Sequence, residues 1–156
     1  MKTGEAMIQF QPIGIIKSPV TRMSQGNWGQ VQSEIHLNDP YPKGLKGLEE
    51  FSHIIVVFYM DRAVFEPSEH LLRRPRAQAN QPEIGVFAQR TKYRPNPIGI
   101  TAVKLLKINR QVLTVLALDA LDGTPVLDIK PYMPVFDKVA DAKVPGWVTE
   151  FEKGYF

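Results

Sequence analysis

These 156 residues contain no cysteine. That excludes disulfides, thiolate metal sites and a cysteine nucleophile, and it fits a cytoplasmic chain. No apolar run is long enough to cross a bilayer, so no membrane partner is expected. The opening stretch 1–10 carries Lys2 but no continuous apolar segment, so it does not read as a secretory signal. There are three histidines, His36, His53 and His70, and none is paired at metal-ligand spacing. No metal is expected, and His53, just ahead of an apolar run, reads as structural. A Gly-x-Ser-x-Gly elbow, a Walker loop and a Gly-x-Gly-x-x-Gly turn are all missing. Those absences argue against a triad hydrolase and against a Rossmann nucleotide-binding domain. Internal repeats and low-complexity blocks are also lacking, and the length suggests one domain.

Thirteen prolines and eleven glycines chop the chain into short pieces. That favours strands and turns over long helices. Residues 8–17, interrupted by Pro12 and Gly14, read as a kinked or edge strand. Residues 31–37 alternate Val31, Ser33, Ile35 and Leu37 against Gln32, Glu34 and His36, which predicts a half-buried strand. A turn over 39–44 leads to a short helix at 45–51. Residues 54–60 are continuously apolar and predict a central strand buried on both faces, ending at Asp61 and Arg62. Residues 67–82 predict a long loop with one helical turn near 68–72. Two strands, 100–108 and 111–117, meet at Asn109-Arg110 as a hairpin. A strand at 126–134 is expected at an edge because of Pro131 and Pro134. A terminal helical turn is expected at 148–153. The sum is mainly β: an antiparallel barrel or sandwich with one long insertion and little helix.

The net charge of +3 is mild, but the cations are clustered. Arg73, Arg74 and Arg76 crowd the long loop. Arg90, Lys92 and Arg94 fall at every second position, and in an extended segment they would share one face. Such a stripe is either an anion-binding surface or the charged guard of an exposed edge strand. Pro95 and Pro97 stiffen the turn around Asn96 that leads to Gly99. Asp119, Asp122 and Asp128 cluster later in the chain. Asp122 suits a plain turn. Asp128 lies between Leu127 and Ile129, where a charge needs a partner, either Lys130 or an arginine.

Several segments carry a resemblance to a known family. They are Pro12-Ile-Gly-Ile-Ile-Lys-Ser-Pro19, Gly47-Leu-Glu-Glu-Phe-Ser-His53, Gly85-Val-Phe-Ala-Gln-Arg90 running on to Arg94-Pro-Asn-Pro-Ile-Gly99, and Leu118-Asp-Ala-Leu-Asp-Gly-Thr-Pro-Val-Leu-Asp-Ile-Lys-Pro-Tyr132. They stand in family order between residues 8 and 134. The chain thereby resembles the TrmO, or TsaA-like, S-adenosylmethionine-dependent tRNA methyltransferases. The resemblance implies a single-domain TsaA-like β-barrel over 1–156, with its core at about 8–134 and a C-terminal extension at 135–156. It implies S-adenosylmethionine as cofactor, tRNA as partner, and a homodimer with the cofactor site near the interface. A barrel with a long loop and exposed apolar residues such as Trp147 and Phe151 also has surface for a second subunit to cover. The implied reaction is N6-methylation of the threonylcarbamoyladenosine next to the anticodon.

Carried over position by position, the cofactor contacts fall on Asp61, Arg62, Arg90, Ile100, Asp122, Gly123, Thr124 and Pro125. Many members carry a Pro-Arg-Gln element after the first Ser-Pro. Here Ser18-Pro19 is followed by a shorter stretch without it, and Trp28 is the residue that would stack on adenine in its place. Residue chemistry suggests the remaining roles. Asn96 would orient the acceptor and Asp128 would take its proton. Arg94 and Lys130 would hold a carboxylate or phosphate, and Arg73, Arg74 and Arg76 would neutralise tRNA phosphates. Two other functions fit the same residues: a methyltransferase of this fold acting on a small molecule or another RNA, and a non-catalytic RNA- or nucleotide-binding β module.

Overall fold

Alternation of apolar side chains defines the strands. The computed structural model describes residues 6–23 and 26–156; residues 1–5 of the opening stretch and 24–25 of the loop after the first strand lie outside them. In chain order the strands are β1 (Gly14–Lys17), β2 (Gln32–Leu37), β3 (His53–Tyr59), β4 (Leu72–Arg73), β5 (Ile84–Gly85), β6 (Ile98–Asn109), β7 (Val112–Leu116) and β8 (Pro125–Pro131). Six of them close into an antiparallel barrel of order β1-β2-β7-β6-β3-β8, and β4 pairs with β5 as a separate ribbon. The helices are α1 (Pro67–His70), α2 (Pro134–Asp137) and α3 (Gly146–Glu152). Mainly β structure, a closed barrel and little helix all match the sequence expectation.

The core fills the barrel. Ile16, Ile35, Leu37, Ile54, Val56, Phe58, Val103, Leu113, Val115 and Val126 are buried there. Ile54, Val56 and Phe58 face inward while Ile55 and Val57 are only half-buried, so β3 is not buried on both faces. A barrel covers one face of each strand, and the apolar outer residues therefore remain at the surface. Full burial of each inward side chain stabilises by about 1.5–3 kcal/mol. A slip of one residue would forfeit all three, and this fixes the register. Gly99 lies opposite Phe58 in the β3–β6 ladder, and a Cβ there would meet the Phe58 ring at 2.3 Å. Only glycine lets the aromatic ring close that part of the barrel.

Several expectations need correction. β1 begins at Gly14 and pairs with both β2 and β8, so it is neither long nor an edge. Residues 45–51 form no single helix; 3-10 turns occupy Tyr41–Leu45 and Leu48–Glu50, and Gly47 between them adopts φ 90°. β8 is not an edge either, since it lies between β3 and β1. Pro131 ends the strand and Pro134 opens α2, so neither ring removes a donor from the strand's middle. The β6–β7 hairpin turns through Arg110 and Gln111, with Asn109 paired to Val112 and Arg110 at φ 54°. Trp147 and Phe151 are half-buried against each other, ring centroids 5.4 Å apart, instead of lying free at the surface.

Antiparallel closure sorts the connections by end. The links β1–β2 (18–31), β3–β6 (60–97) and β7–β8 (117–124) all leave from one end of the barrel. The links β2–β3 and β6–β7 leave from the other. Every long connection that carries a candidate site residue thus lies at one end.

Candidate functional site

The three connections are tied together by Arg62. Its guanidinium donates to the carbonyl of Thr21 at 3.0 Å and to that of Asp122 at 2.8 Å. Asp122 in turn accepts from the Ser18 amide at 3.0 Å, and its own amide donates to Val20 at 2.8 Å. Gly123 adopts φ 85°, and its amide donates to Ile16 at 2.8 Å. A side chain is disfavoured at that φ. No side chain stands between the 122–125 turn and the Arg62 guanidinium, whose Nη2 would lie 3.7 Å from a Cβ at Gly123. Asp61 is exposed beside it.

A second group gathers on an open edge of β6. This strand outruns β7, whose last residue, Leu116, pairs with Lys104. Residues 98–103 thus have a strand neighbour, β3, on one side only. Pro97 accepts from Met60, and the Leu105 amide donates to Ser52. Odd-numbered backbone groups in this stretch therefore face β3, and the even-numbered ones face the open edge. Arg90 occupies that edge by donating to the carbonyl of Ile100 at 2.7 Å. The next residue, Thr101, donates its hydroxyl to Asp119, and the Tyr155 hydroxyl donates to the other carboxylate oxygen. Burial, then the charge of Asp119 and then its hydrogen bond, push the Tyr155 pKa well above the usual tyrosine range, while Arg90 and Arg76 pull the other way. The Trp28 amide donates to Tyr155 and that of Asn27 to Gly154. Trp28 itself is only 3% exposed, so it is packed beneath the C-terminal segment and offers no free face for adenine.

The alternating stripe does not form. Residues 86–88 make a 3-10 turn and 89–97 bend irregularly, so Arg90, Lys92 and Arg94 do not share a strand face. The proline pair that was expected to stiffen a turn also prevents a regular strand before Ile98. Arg94 donates to the carbonyls of Val86 and Gln89, and Gln89 spans to Arg73 and Ile84. Lys92 and Arg73 each lie 4.8 Å from the centroid of the Tyr93 ring, and His70 stacks parallel on that ring at 4.4 Å. Arg74 donates to Gln81, and Arg76 donates to Phe151 at 2.8 Å with its guanidinium 4.5 Å from that ring. Among the described residues, no arginine lies within 4.0 Å of a carboxylate. These guanidiniums are fixed by carbonyls and rings, which leaves their charge uncompensated and several N–H donors free.

Asp128 and Lys130 pair at 2.7 Å on the outer wall of β8, opposite Val57 and Ile55. Asp128 also accepts from the Ile129 amide, and its hydrogen bond and charge raise the Lys130 pKa. Neither is hydrogen-bonded to the loop cluster. Asn96 is exposed at the barrel end, its carbonyl accepting from Ile98. The structure therefore gathers Arg62 with the 122–125 turn, and Arg90 with Ile100. It adds Asp119, Thr101 and Tyr155, which the sequence reading did not place in a site. Asp119 was visible as one of three clustered aspartates; nothing local marked Tyr155.

Fold and site define a small antiparallel barrel whose candidate site groups gather at one end, mostly on its connections. The family pattern for the tRNA-methyltransferase O N-terminal domain matches residues 18–138, and the chain belongs to this TrmO family. It is 42% identical over 148 residues to a probable S-adenosyl-L-methionine-binding protein of Archaeoglobus fulgidus, covering 92% of this chain and 39% of that one. It is 37% identical over 145 residues to the tRNA (adenine(37)-N6)-methyltransferase of Escherichia coli, covering 86% and 61%. The crystal structure of TrmO from P. aeruginosa superposes with a TM-score of 0.77 at 31% identity, covering 94% of this chain and 64% of the other. The chain spans less than two thirds of each of these three.

Proposed function

We propose that this protein is an S-adenosylmethionine-dependent methyltransferase that N6-methylates threonylcarbamoyladenosine beside the tRNA anticodon. The observation that carries the reading is that Arg62 with the 122–125 turn, and Arg90 with Ile100, lie at the same barrel end. The likeness to the E. coli tRNA methyltransferase supports the chemistry. The residues suit the cofactor. A glycine turn admits close backbone approach, Arg90 keeps donors for a carboxylate, and Asp61 is exposed beside the same turn, of which buried Thr124 is a part. When bound, S-adenosylmethionine supplies an electrophilic methyl group on a sulfonium.

The chain's own groups then have to align and deprotonate. Fixed loops hold the acceptor close to the methyl group, and proximity supplies much of the rate. The acceptor nitrogen must lose a proton, so a base has to reach it. In this reading Asn96 orients the acceptor and Asp128 takes the proton, with Arg94 and Lys130 on the acceptor's carboxylate, and the Asp128–Lys130 pair on the outer wall of β8 has to open for both roles. Arg73, Arg74 and Arg76 add positive charge for the phosphate backbone. The protein works in the cytoplasm as a homodimer. Tyr59, Ile98 and Ile100 are exposed on neighbouring outer positions of β3 and β6, with Val57 between them, and this apolar face adjoins the Arg90–Ile100 bond. A second subunit there would cover the face and border the cofactor.

Labelled S-adenosylmethionine tests the reading with two tRNA pools, one carrying the threonylcarbamoyl group and one lacking it. Label should enter only the first. Incorporation into neither pool, with transfer to a small acceptor, would replace tRNA as the substrate.

A further inference from the structure

Two groups of opposite charge are anchored to successive residues of β6, and both act on the Tyr155 hydroxyl. Arg90 is anchored to the carbonyl of Ile100, and Asp119 to the hydroxyl of Thr101. They do not pair within 4.0 Å. We propose that Asp119, held by Thr101 and Tyr155, forms the carboxylate half of a clamp for the α-amino-acid end of the cofactor, with Arg90 as its cationic half. The proposal rests on reading this barrel end as the S-adenosylmethionine site.

The chemistry follows from what each group lacks. An α-amino acid is a zwitterion whose ammonium and carboxylate are fixed close together, so it needs one anion and one cation side by side. Asp119 accepts one hydroxyl on each oxygen, and a carboxylate has about four lone-pair sites, so two remain. Half-burial makes an unpaired charge costly, and a ligand ammonium would meet that need. Tyr155 keeps its proton well into the alkaline range, so it remains a donor at neutral pH. Arg90 retains free donors, which can take a carboxylate in bidentate fashion. The C-terminal segment thus belongs to the site, because it supplies one of the two hydroxyls that fix the anion.

Calorimetric titration with S-adenosylmethionine, S-adenosylhomocysteine and methylthioadenosine tests the clamp. The last ligand lacks the amino-acid end. The wild type should bind the first two at least about tenfold more tightly than the third. Asp119→Asn should weaken both by about tenfold and leave methylthioadenosine within about twofold. Arg90→Gln should show the same selective loss; its side chain is exposed, so this variant tests the clamp even if Asp119→Asn does not fold. Equal loss for all three ligands would reduce Asp119 to a structural role and overturn the proposal. A loss confined to S-adenosylmethionine would also overturn it, by assigning the carboxylate to the sulfonium. A wild type that binds none of the three would instead remove the cofactor reading underneath, which is a different result.

Discussion

The guanidinium of Arg62 lies 2.8 Å from the carbonyl of Asp122 and joins two connections of the barrel that are 60 residues apart in sequence. Its second bond, to Thr21, brings in the third. One exposed side chain therefore holds the loop after β1, the long insertion after β3 and the turn before β8. The barrel walls do not depend on it, because their register is set by the buried face.

Arg62→Ala should thus separate ligand binding from folding. Each lost bond to a carbonyl is worth about 0.5–1.5 kcal/mol, and both act on the loops. Affinity for S-adenosylmethionine should fall by about tenfold or more, while the thermal midpoint moves by only a few degrees. Calorimetry and a melting curve on the same sample check this. Unchanged affinity would take the 62–122 junction out of the site.

Tyr155 gives the chain an alkaline weakness. Its pKa is raised in the folded state above the ordinary 10.0 by burial and by Asp119. Between those two values the folded state holds a proton that the unfolded chain releases, so stability falls as pH rises above 10. Below 10 both states are protonated and the contribution is fully present. Tyr155→Phe cannot ionise, so the midpoint difference between wild type and variant should narrow between pH 9 and 11. A constant difference would mean that the phenol does not titrate with unfolding.

What was legible in the sequence follows this division. Strands with one buried face, such as β2 and β3, announce themselves by alternation, and the turn at Asp122-Gly123 by its residue types. The barrel's closure was not legible from pattern alone, because β8 reads as an edge until its partners are known. The cationic stripe failed for a local reason. Spacing of two implies a shared face only in extended backbone, and the chain bends between Val86 and Pro97. Asp119 and Tyr155 meet across 36 residues through a segment that crosses the barrel end, and no local pattern encodes such a meeting.

Gly99→Ala tests the closeness of β3 and β6. The added methyl would fall 2.3 Å from the ring of Phe58, which is 3% exposed and has little room to turn. Overpacking of this kind costs about 1–3 kcal/mol. Urea denaturation should report that loss with an unchanged slope. A neutral result would show that the ring moves aside freely.

The exposed apolar face around Ile98 carries the dimer reading. Ile98→Asp places a charge where a second subunit would bury it. Sedimentation should find a dimer for the wild type and a monomer for the variant, with the same circular dichroism. A wild-type monomer that still binds cofactor would end the reading.

The three loop arginines should divide by what holds them. Arg73 lies over Tyr93, Arg74 is bonded to Gln81, and Arg76 is bonded to Phe151 of the C-terminal helix. If all three meet tRNA phosphates, replacing any one by glutamine should lower the log–log salt slope of tRNA binding by roughly 0.7–0.9. Arg73→Gln and Arg74→Gln should do so without changing cofactor affinity. Arg76→Gln should also lower the melting midpoint, because it releases the segment that carries Tyr155 to Asp119. Its cofactor affinity should fall as well, and that second effect should be independent of salt. If Arg76→Gln instead behaves like the other two, the bonds to Asn27, Trp28 and Asp119 hold the C-terminal segment without it. If none of the three changes the salt slope, the loop does not touch the phosphates, and tRNA approaches the barrel end from another side.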